Sequence, residues 1–292
     1  MSGPVLQVKN LSLGFRGYTG YTEVLHSVSL AIEPGQRVAL VGESGSGKSV
    51  TARVILGLLQ QTRSARIDGE LRFLGDDLGS LSQRQWRALR GTQMSMIFQD
   101  PTSALNPVFT IANQFTEVLR RADEKMSKVA ARERAEQLLL SVSINDPARV
   151  LDAYPFQLSG GMNQRVVIAM ALANHPALLI ADEPGTALDV TVQAQTLKLM
   201  HEMVAAHNTA VLFISHNLGV VREFADVVYV IYRGRIVEIG DTAAVFHSPG
   251  HAYTRALMAA VPRITGGGIP DIPDSDQAFL EPCVVHADEP RS

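Results

Sequence analysis

The stretch "GESGSGKS", Gly42 to Ser49, decides the fold of this 292-residue chain. It follows a short apolar run, "RVALV" at Arg37 to Val41, and leads into "KSVTARVILGLL", whose apolar residues recur at helical spacing. Strand, glycine loop and helix in that order form the context in which G-x-x-x-x-G-K-[ST] is a phosphate cradle and not a chance turn. The glycines let backbone N–H groups turn inward around phosphate oxygens, and the helix start adds the positive end of its dipole. Lys48 is placed to reach the β- and γ-phosphates, and the Ser49 hydroxyl to ligate Mg²⁺.

Upstream, "PVLQVKNLSLGF" and "EVLHSVSLAIE" alternate apolar and polar residues as half-buried antiparallel strands do. Downstream, Asp68-Gly69 predicts a hairpin turn, and "SLSQRQWRALR" a helix capped by Ser80 or Ser82. Residues Thr110 to Val142 are helical in pattern and rich in charge, with Pro101, Pro107, Pro147 and Pro155 around them, which marks a helical insert. "ALLIAD", "TAVLFIS" and "DVVYVIY" then give three apolar runs separated by helical segments, the rhythm of a parallel sheet buried on both faces. The tail beyond Arg263 is rich in Gly, Pro and Asp and is expected to be extended or mobile.

Composition narrows the classes. Apolar residues make up 46% and charged residues 19%, ordinary for a globular protein, and a net charge of -3 gives no reason to expect nucleic acid. One cysteine, Cys283, excludes an internal disulfide framework and fits a reducing compartment. The N-terminus has no secretory pattern, and the longest apolar candidate, "VVIAMALA", stops at Asn174-His175-Pro176, short of the roughly 18 residues a membrane span needs. The chain is expected not to cross a membrane by itself.

Four further positions suit nucleotide chemistry. "ALLIADEP" ends an apolar strand in two carboxylates: Asp182, at the strand end where ligands bind in open α/β sheets, suits a water-mediated hold on Mg²⁺, and Glu183 suits general-base work on water. Alone the pair would read as an acidic turn; the phosphate loop makes it chemical. His216 in "FISHN" ends the next strand, one βα unit further on, which favours a γ-phosphate contact over a structural hydrogen bond. Gln99 in "IFQD" ends a strand at the start of the helical insert, where it can touch Mg²⁺ or the attacking water.

A second loop of small residues, "LSGGMNQR" at Leu158 to Arg165, also precedes a helical run, so Ser159, Gly160 and Gly161 form another anion-binding helix start. Taken together in order, "GESGSGKS", "FQD", "LSGGMNQR", "LLIADEP", "TALD" and "SHN" resemble the ATP-binding subunit of an ABC transporter, over roughly residues 5 to 262. The resemblance implies an α/β P-loop NTPase fold, with a RecA-like parallel core, an antiparallel β subdomain and an inserted α-helical subdomain. It implies parts at 1–98 (β subdomain and phosphate loop), 99–165 (insert up to the second loop), 166–248 (remaining core) and 249–292 (C-terminal extension). Gly42, Glu43, Ser44, Gly45, Ser46, Gly47, Lys48, Ser49 and Val50 would hold ATP with Mg²⁺. Ser159, Gly160 and Gly161 would close over the nucleotide of a partner cassette, with Asp189 of "TALD" at the same interface. An aromatic near the N-terminus stacks on adenine in this family; Phe15 aligns best, and Tyr18 and Tyr21 are rivals.

"FQDPTSALNP", "YPFQLSGGMNQRVVIAMAL" and, most specifically, "HAYTRALMAAVP" resemble the peptide and nickel importer branch. That implies a second, homologous but different ATPase subunit, two transmembrane permeases, an extracytoplasmic binding protein and a place on the cytoplasmic face of the plasma membrane. A soluble, non-transport ABC ATPase is the alternative. Four departures stand out. Gly185 replaces a usual threonine, and being small is expected to change little. Asn217 replaces aspartate after His216, and Phe156 replaces histidine before the second loop. Branch members often hold an iron–sulfur cluster on four C-terminal cysteines, and such a cluster needs about four thiolates. Cys283 stands alone, so no cluster is expected and the thiol reads as buried or unreactive.

Overall fold

The structure is a computed structural model that describes residues 3–17, 20–60, 62–185, 190–260, 279 and 282–286. The chain divides into two compact units, one of residues 1–80 with 212–292 and one of residues 81–211.

The first unit begins with β1 (Leu6–Gly17), β2 (Gly20–Ile32), β3 (Arg37–Val41), α1 (Lys48–Ile55), β4 (Ala65–Phe73) and β5 (Asp76–Asp77). β1 and β2 alternate as the sequence pattern predicts: Leu6, Leu11 and Leu13 pair across to Ile32, Val28 and Leu25, and all six are buried. An antiparallel sheet of order β2-β1-β4-β5 results. Asp68-Gly69 does not turn the chain; it lies inside β4, and the turn to β5 falls at Leu74 and Gly75, both at positive φ. Gly69, at φ 116°, faces a register shift in β1 between Lys9 and Ser12, and a Cβ there would stand 2.7 Å from the Asn10 carbonyl oxygen. The glycine serves a close backbone approach at a bulge, a use that reads in sequence just like a turn.

The second unit contains α2 (Gln83–Leu89), β6 (Met94–Ile97), α3 (Pro101–Ala104), α4 (Ile111–Arg120), α5 (Lys128–Ser141), α6 (Pro147–Asp152), α7 (Gly160–Leu172), β7 (Leu178–Asp182) and α8 (Val190–Ala206). Ser82, not Ser80, caps α2, in a reciprocal box with Gln85. Asp146 with Pro147 starts α6, and Thr110 and Ser127 cap α4 and α5. Ile111, Phe115 and Leu119 bury one stripe of α4, and α7 buries Val166, Ile168 and Ala169. β6 and β7 pair in parallel, Met94 to Leu178 through Ile97 to Ala181, so β7 reads as a continuous apolar run.

β8 (Ala210–Ile214) carries the chain back into the first unit, followed by α9 (Leu218–Phe224), β9 (Val227–Tyr232), β10 (Arg235–Asp241), α10 (Thr242–His247), α11 (Ala252–Ala259) and β11 (Val284–Val285). β9 pairs in parallel with β3, Val38 to Val227 through Val41 to Val230, and antiparallel with β10. β11 adds in parallel beyond β10, Glu238 to Val284 and Ile239 to Val285. Part of the tail expected to be extended or mobile therefore forms a strand; residues 261–278 lie outside the described residues.

Candidate active site

The phosphate loop leaves β3, whose Val38 to Val41 are fully buried, and ends where Gly47, at φ 108°, caps α1. Within it the Ser46 N–H donates to the Glu43 carbonyl at 3.2 Å, and the Thr51 N–H and hydroxyl both donate to the Gly47 carbonyl at 2.9 Å. Lys48 is buried, and its ammonium donates to the carbonyls of Gly42 at 2.8 Å and Glu43 at 2.7 Å. The Ser46 hydroxyl is also buried, and among the described residues it has no hydrogen-bond partner. Gly45 turns at φ 81° with open space where a Cβ would stand. A buried ammonium, an orphaned hydroxyl and a helix start around an open glycine turn fit the oxygens of a nucleotide's phosphates. Ser49 and Val50 follow in the first turn of α1, half-buried, and Glu43, Ser44 and Gly45 are exposed.

Two residues outside the motif hold the loop. The Gly234 N–H donates to the Ser46 carbonyl at 2.9 Å, and the Tyr253 hydroxyl oxygen accepts the Glu43 N–H at 2.9 Å. Sequence reasoning used "HAYTR" only as a mark of the branch and missed Tyr253; no local pattern joins positions 210 apart.

In the same unit His216 is exposed, two residues past β8. Asn217 next to it is the N-cap of α9, its side chain accepting the Val220 N–H at 3.4 Å. Asparagine and aspartate cap helices about equally well, so this departure keeps the turn that presents His216. Phe15 is half-buried on β1, while Tyr21 is 52% exposed with its ring over Gly14. Tyr18 lies outside the described residues.

In the second unit β7 ends in the buried Asp182, and Glu183 follows at φ 50°. A non-glycine residue in the left-handed region costs on the order of 1–3 kcal/mol and marks a backbone that is held for a purpose. The Gln99 amide, just past β6, donates to the Glu183 carboxylate at 2.8 Å. The two residues that sequence reasoning placed at strand ends are thus brought into contact across 84 positions. Gly185 turns at φ 100°, a region that disfavours threonine, so the departure bears on the backbone as well as on size. Asp189 lies outside the described residues.

Ser159 caps α7, accepting the Met162 N–H at 3.3 Å, with Gly160 and Gly161 opening the helix. The buried Asn163 ties this start to the Pro155 carbonyl at 3.0 Å. Of the two readings of Cys283, buried or unreactive, burial does not hold, since the side chain is exposed; desolvation by its surroundings and then the charge of Glu238 still push its thiol pKa up, which disfavours the reactive thiolate.

Comparison with known proteins gives these features a lineage. Residues 25–186 match the ABC transporter family, and residues 237–282 match the oligopeptide/dipeptide transporter C-terminal region. The chain is 48% identical to the peptidoglycan transport ATP-binding protein YejF of Agrobacterium fabrum over 98% of its own length, but spans only 51% of that relative. It is 46% identical to the oligopeptide transport ATP-binding protein OppD of Bacillus subtilis, covering 90% of this chain and 74% of that one. Against the dipeptide transport ATP-binding protein DppD of the same organism the figures are 47%, 90% and 78%. In structure it is similar to an ATP-binding cassette solved as a dimer in a post-hydrolysis state with ADP and Pi (TM-score 0.72, 27% identity, 81% of this chain and 98% of that one). The chain belongs to the ABC transporter family, as one of its ATP-hydrolysing cassettes.

Proposed function

We propose that this cassette powers an importer of dipeptides or oligopeptides, or of a related solute such as a nickel complex. The observation that carries the reading is the match of residues 237–282 to the oligopeptide/dipeptide transporter C-terminal region, which goes beyond the cassette common to all ABC ATPases. The names of the Bacillus relatives point the same way.

In this reading residues Gly42 to Val50 wrap the phosphates of ATP, and Lys48 neutralises charge building on the β- and γ-oxygens. Ser49, Asp182 and Gln99 are the groups that would hold Mg²⁺, which supplies further neutralisation of the phosphates when bound. Glu183 takes the proton of the attacking water; its contact with Gln99 ties the base to the start of the helical insert. His216 meets the γ-phosphate, and an aromatic, Phe15 first with Tyr18 and Tyr21 as rivals, stacks on adenine. Ser159, Gly160 and Gly161 present their helix start to the nucleotide held by a second, different cassette, and Asp189 lies at that interface. Closure depends on ATP because those contacts exist only with the γ-phosphate in place, and hydrolysis removes them.

Two permeases and an extracytoplasmic binding protein complete the assembly, and the chain sits on the cytoplasmic face of the membrane through them. No helix among the described residues is long and apolar enough to cross a membrane. Val108, in a turn, and Phe156, in a short 3-10 helix, are 75% and 72% exposed near the Ile111 N–H to Ala153 carbonyl bond at 3.0 Å, and the Phe156 ring stacks on Tyr154. Exposed apolar groups of this kind suit a permease contact. The test is affinity purification of the tagged chain from detergent-solubilised membranes of its native host, followed by mass spectrometry. Two polytopic membrane proteins and a second cassette are expected; cytosolic partners alone, with the chain absent from membranes, would overturn the reading in favour of a soluble ABC ATPase.

A further inference from the structure

The C-terminal region of the first unit reaches the phosphate loop through a short chain of buried contacts. Glu238, on β10, is fully buried. Its carboxylate accepts the Gly250 N–H at 2.7 Å and the His251 N–H at 3.1 Å, and pairs with His286 Nε2 at 2.6 Å. These bonds fix the start of α11 against the last strand: a Cβ on Gly250 would stand 2.6 Å from Val284 of β11. His251, also fully buried, then caps α11 by accepting the Tyr253 N–H at 3.1 Å. Tyr253 is thereby held at both ends, by its backbone and by its ring.

The ring leans on Tyr232 with centroids 4.4 Å apart and meets Phe279 edge-on at 5.5 Å. Phe279 belongs to the C-terminal segment and also packs on Tyr232 at 5.4 Å. From this three-ring seat the Tyr253 hydroxyl oxygen accepts the N–H of Glu43, the second residue of the phosphate loop. Burial pushes the phenol pKa well up, so the hydroxyl remains neutral across the working pH range. The loop is thus anchored twice from outside its own motif, at Glu43 by Tyr253 and at Ser46 by Gly234. Between these anchors lie Ser44 and Gly45, and Lys48 closes the turn by donating to the carbonyls of Gly42 and Glu43. An error in the placing of Glu43 therefore moves the carbonyl that orients the Lys48 ammonium.

We propose that Tyr253 is a positioning residue of the phosphate loop, through which the C-terminal region sets the affinity for the phosphates of ATP. In this role Tyr253 acts through Glu43 and Lys48. The same contacts give the C-terminal module a purpose at the nucleotide that is independent of any cluster-binding cysteines. The proposal rests on nucleotide binding by the loop and not on the identity of the transported solute, so the two can fail separately.

The test is Tyr253→Phe in the full-length chain, which keeps the ring seat and removes only the acceptor. Loss of one hydrogen bond of this kind is worth about a three- to tenfold change in an equilibrium constant. The Kd for ATP and for ADP, and the KM for ATP, are expected to rise by that factor, with kcat within about twofold and the nucleotide-free melting temperature little changed. Glu238→Gln, which loosens the seat of α11, is expected to raise the same Kd in the same direction. Unchanged nucleotide affinity in Tyr253→Phe would overturn the proposal and leave the residue a core aromatic. Should that variant not fold, amide hydrogen exchange of Glu43 in the unaltered, nucleotide-free chain decides: protection is expected, and exchange as free as in an open loop would overturn it.

Discussion

Glu183 stands at a strained φ of 50° with its carboxylate on the Gln99 amide, while Lys48 is buried with its ammonium on two carbonyls of its own loop. Both side chains are held by hydrogen bonds within the chain, the kind of fixed polar setting on which the proposed charge stabilisation would draw. Removing the ammonium by Lys48→Ala is expected to weaken ATP binding by about tenfold or more, the worth of a charge-assisted hydrogen bond. Titration with a fluorescent ATP analogue checks this, and unchanged affinity would count against the role of Lys48. At this scale the placing of the motif residues on a loop and at a strand end could be read from the sequence. Lys48, Asp182 and Glu183 each lie inside a short motif whose spacing carries its own chemistry. The Gln99–Glu183 and Tyr253–Glu43 contacts were not legible, because each joins segments that only the completed fold brings together.

Among the elements, turn chemistry decides what pattern alone leaves open. Gly69 and Ser82 show the two outcomes. Ser82 could be read as a cap, because a glutamine three residues on completes the box; only the choice against Ser80 needed the structure. Gly69 was misread, since Asp-Gly favours turns and nothing local announces a bulge on the neighbouring strand. Gly69→Ala is expected to cost about 1–3 kcal/mol through left-handed strain and the Asn10 approach. Ser82→Ala is expected to cost about 1 kcal/mol. Thermal melts of the two variants order the effects, and an unchanged melting temperature for Gly69→Ala would contradict the bulge account.

Glu238 gives the acid limit of the C-terminal strand. Burial favours its neutral form, yet the neighbouring Thr254 side chain, then His286, and the Gly250 and His251 N–H groups hold its pKa below the ordinary value. A depressed native pKa means stability that is present above the unfolded pKa and lost as pH falls through the native one, so docking of β11 is expected to weaken as pH falls below the ordinary glutamate range. Glu238→Gln is expected to be less stable at neutral pH, by about 3 kcal/mol for a broken buried pair, and to lose less on acidification. Urea melts at neutral and acid pH check both signs.

For the whole molecule, order along the chain differs from order in space. The first unit closes only when residues 212–292 return to join residues 1–80, bringing β9 beside β3 and β11 beside β10. The α/β class could be read because apolar runs alternate with helical segments, a pattern that long-range pairing preserves. The place of the C-terminal strand could not be read, because "VV" is too short to carry a period and its partner lies far upstream. In the proposed reaction Glu183 is the base that takes the proton of the attacking water. The measurement that tests it most directly compares ATP turnover and ATP binding of Glu183→Gln with the unaltered chain, both purified with their membrane partners. Turnover is expected to fall by at least about a hundredfold while the Kd for ATP stays within about threefold; normal turnover in the variant would contradict the account.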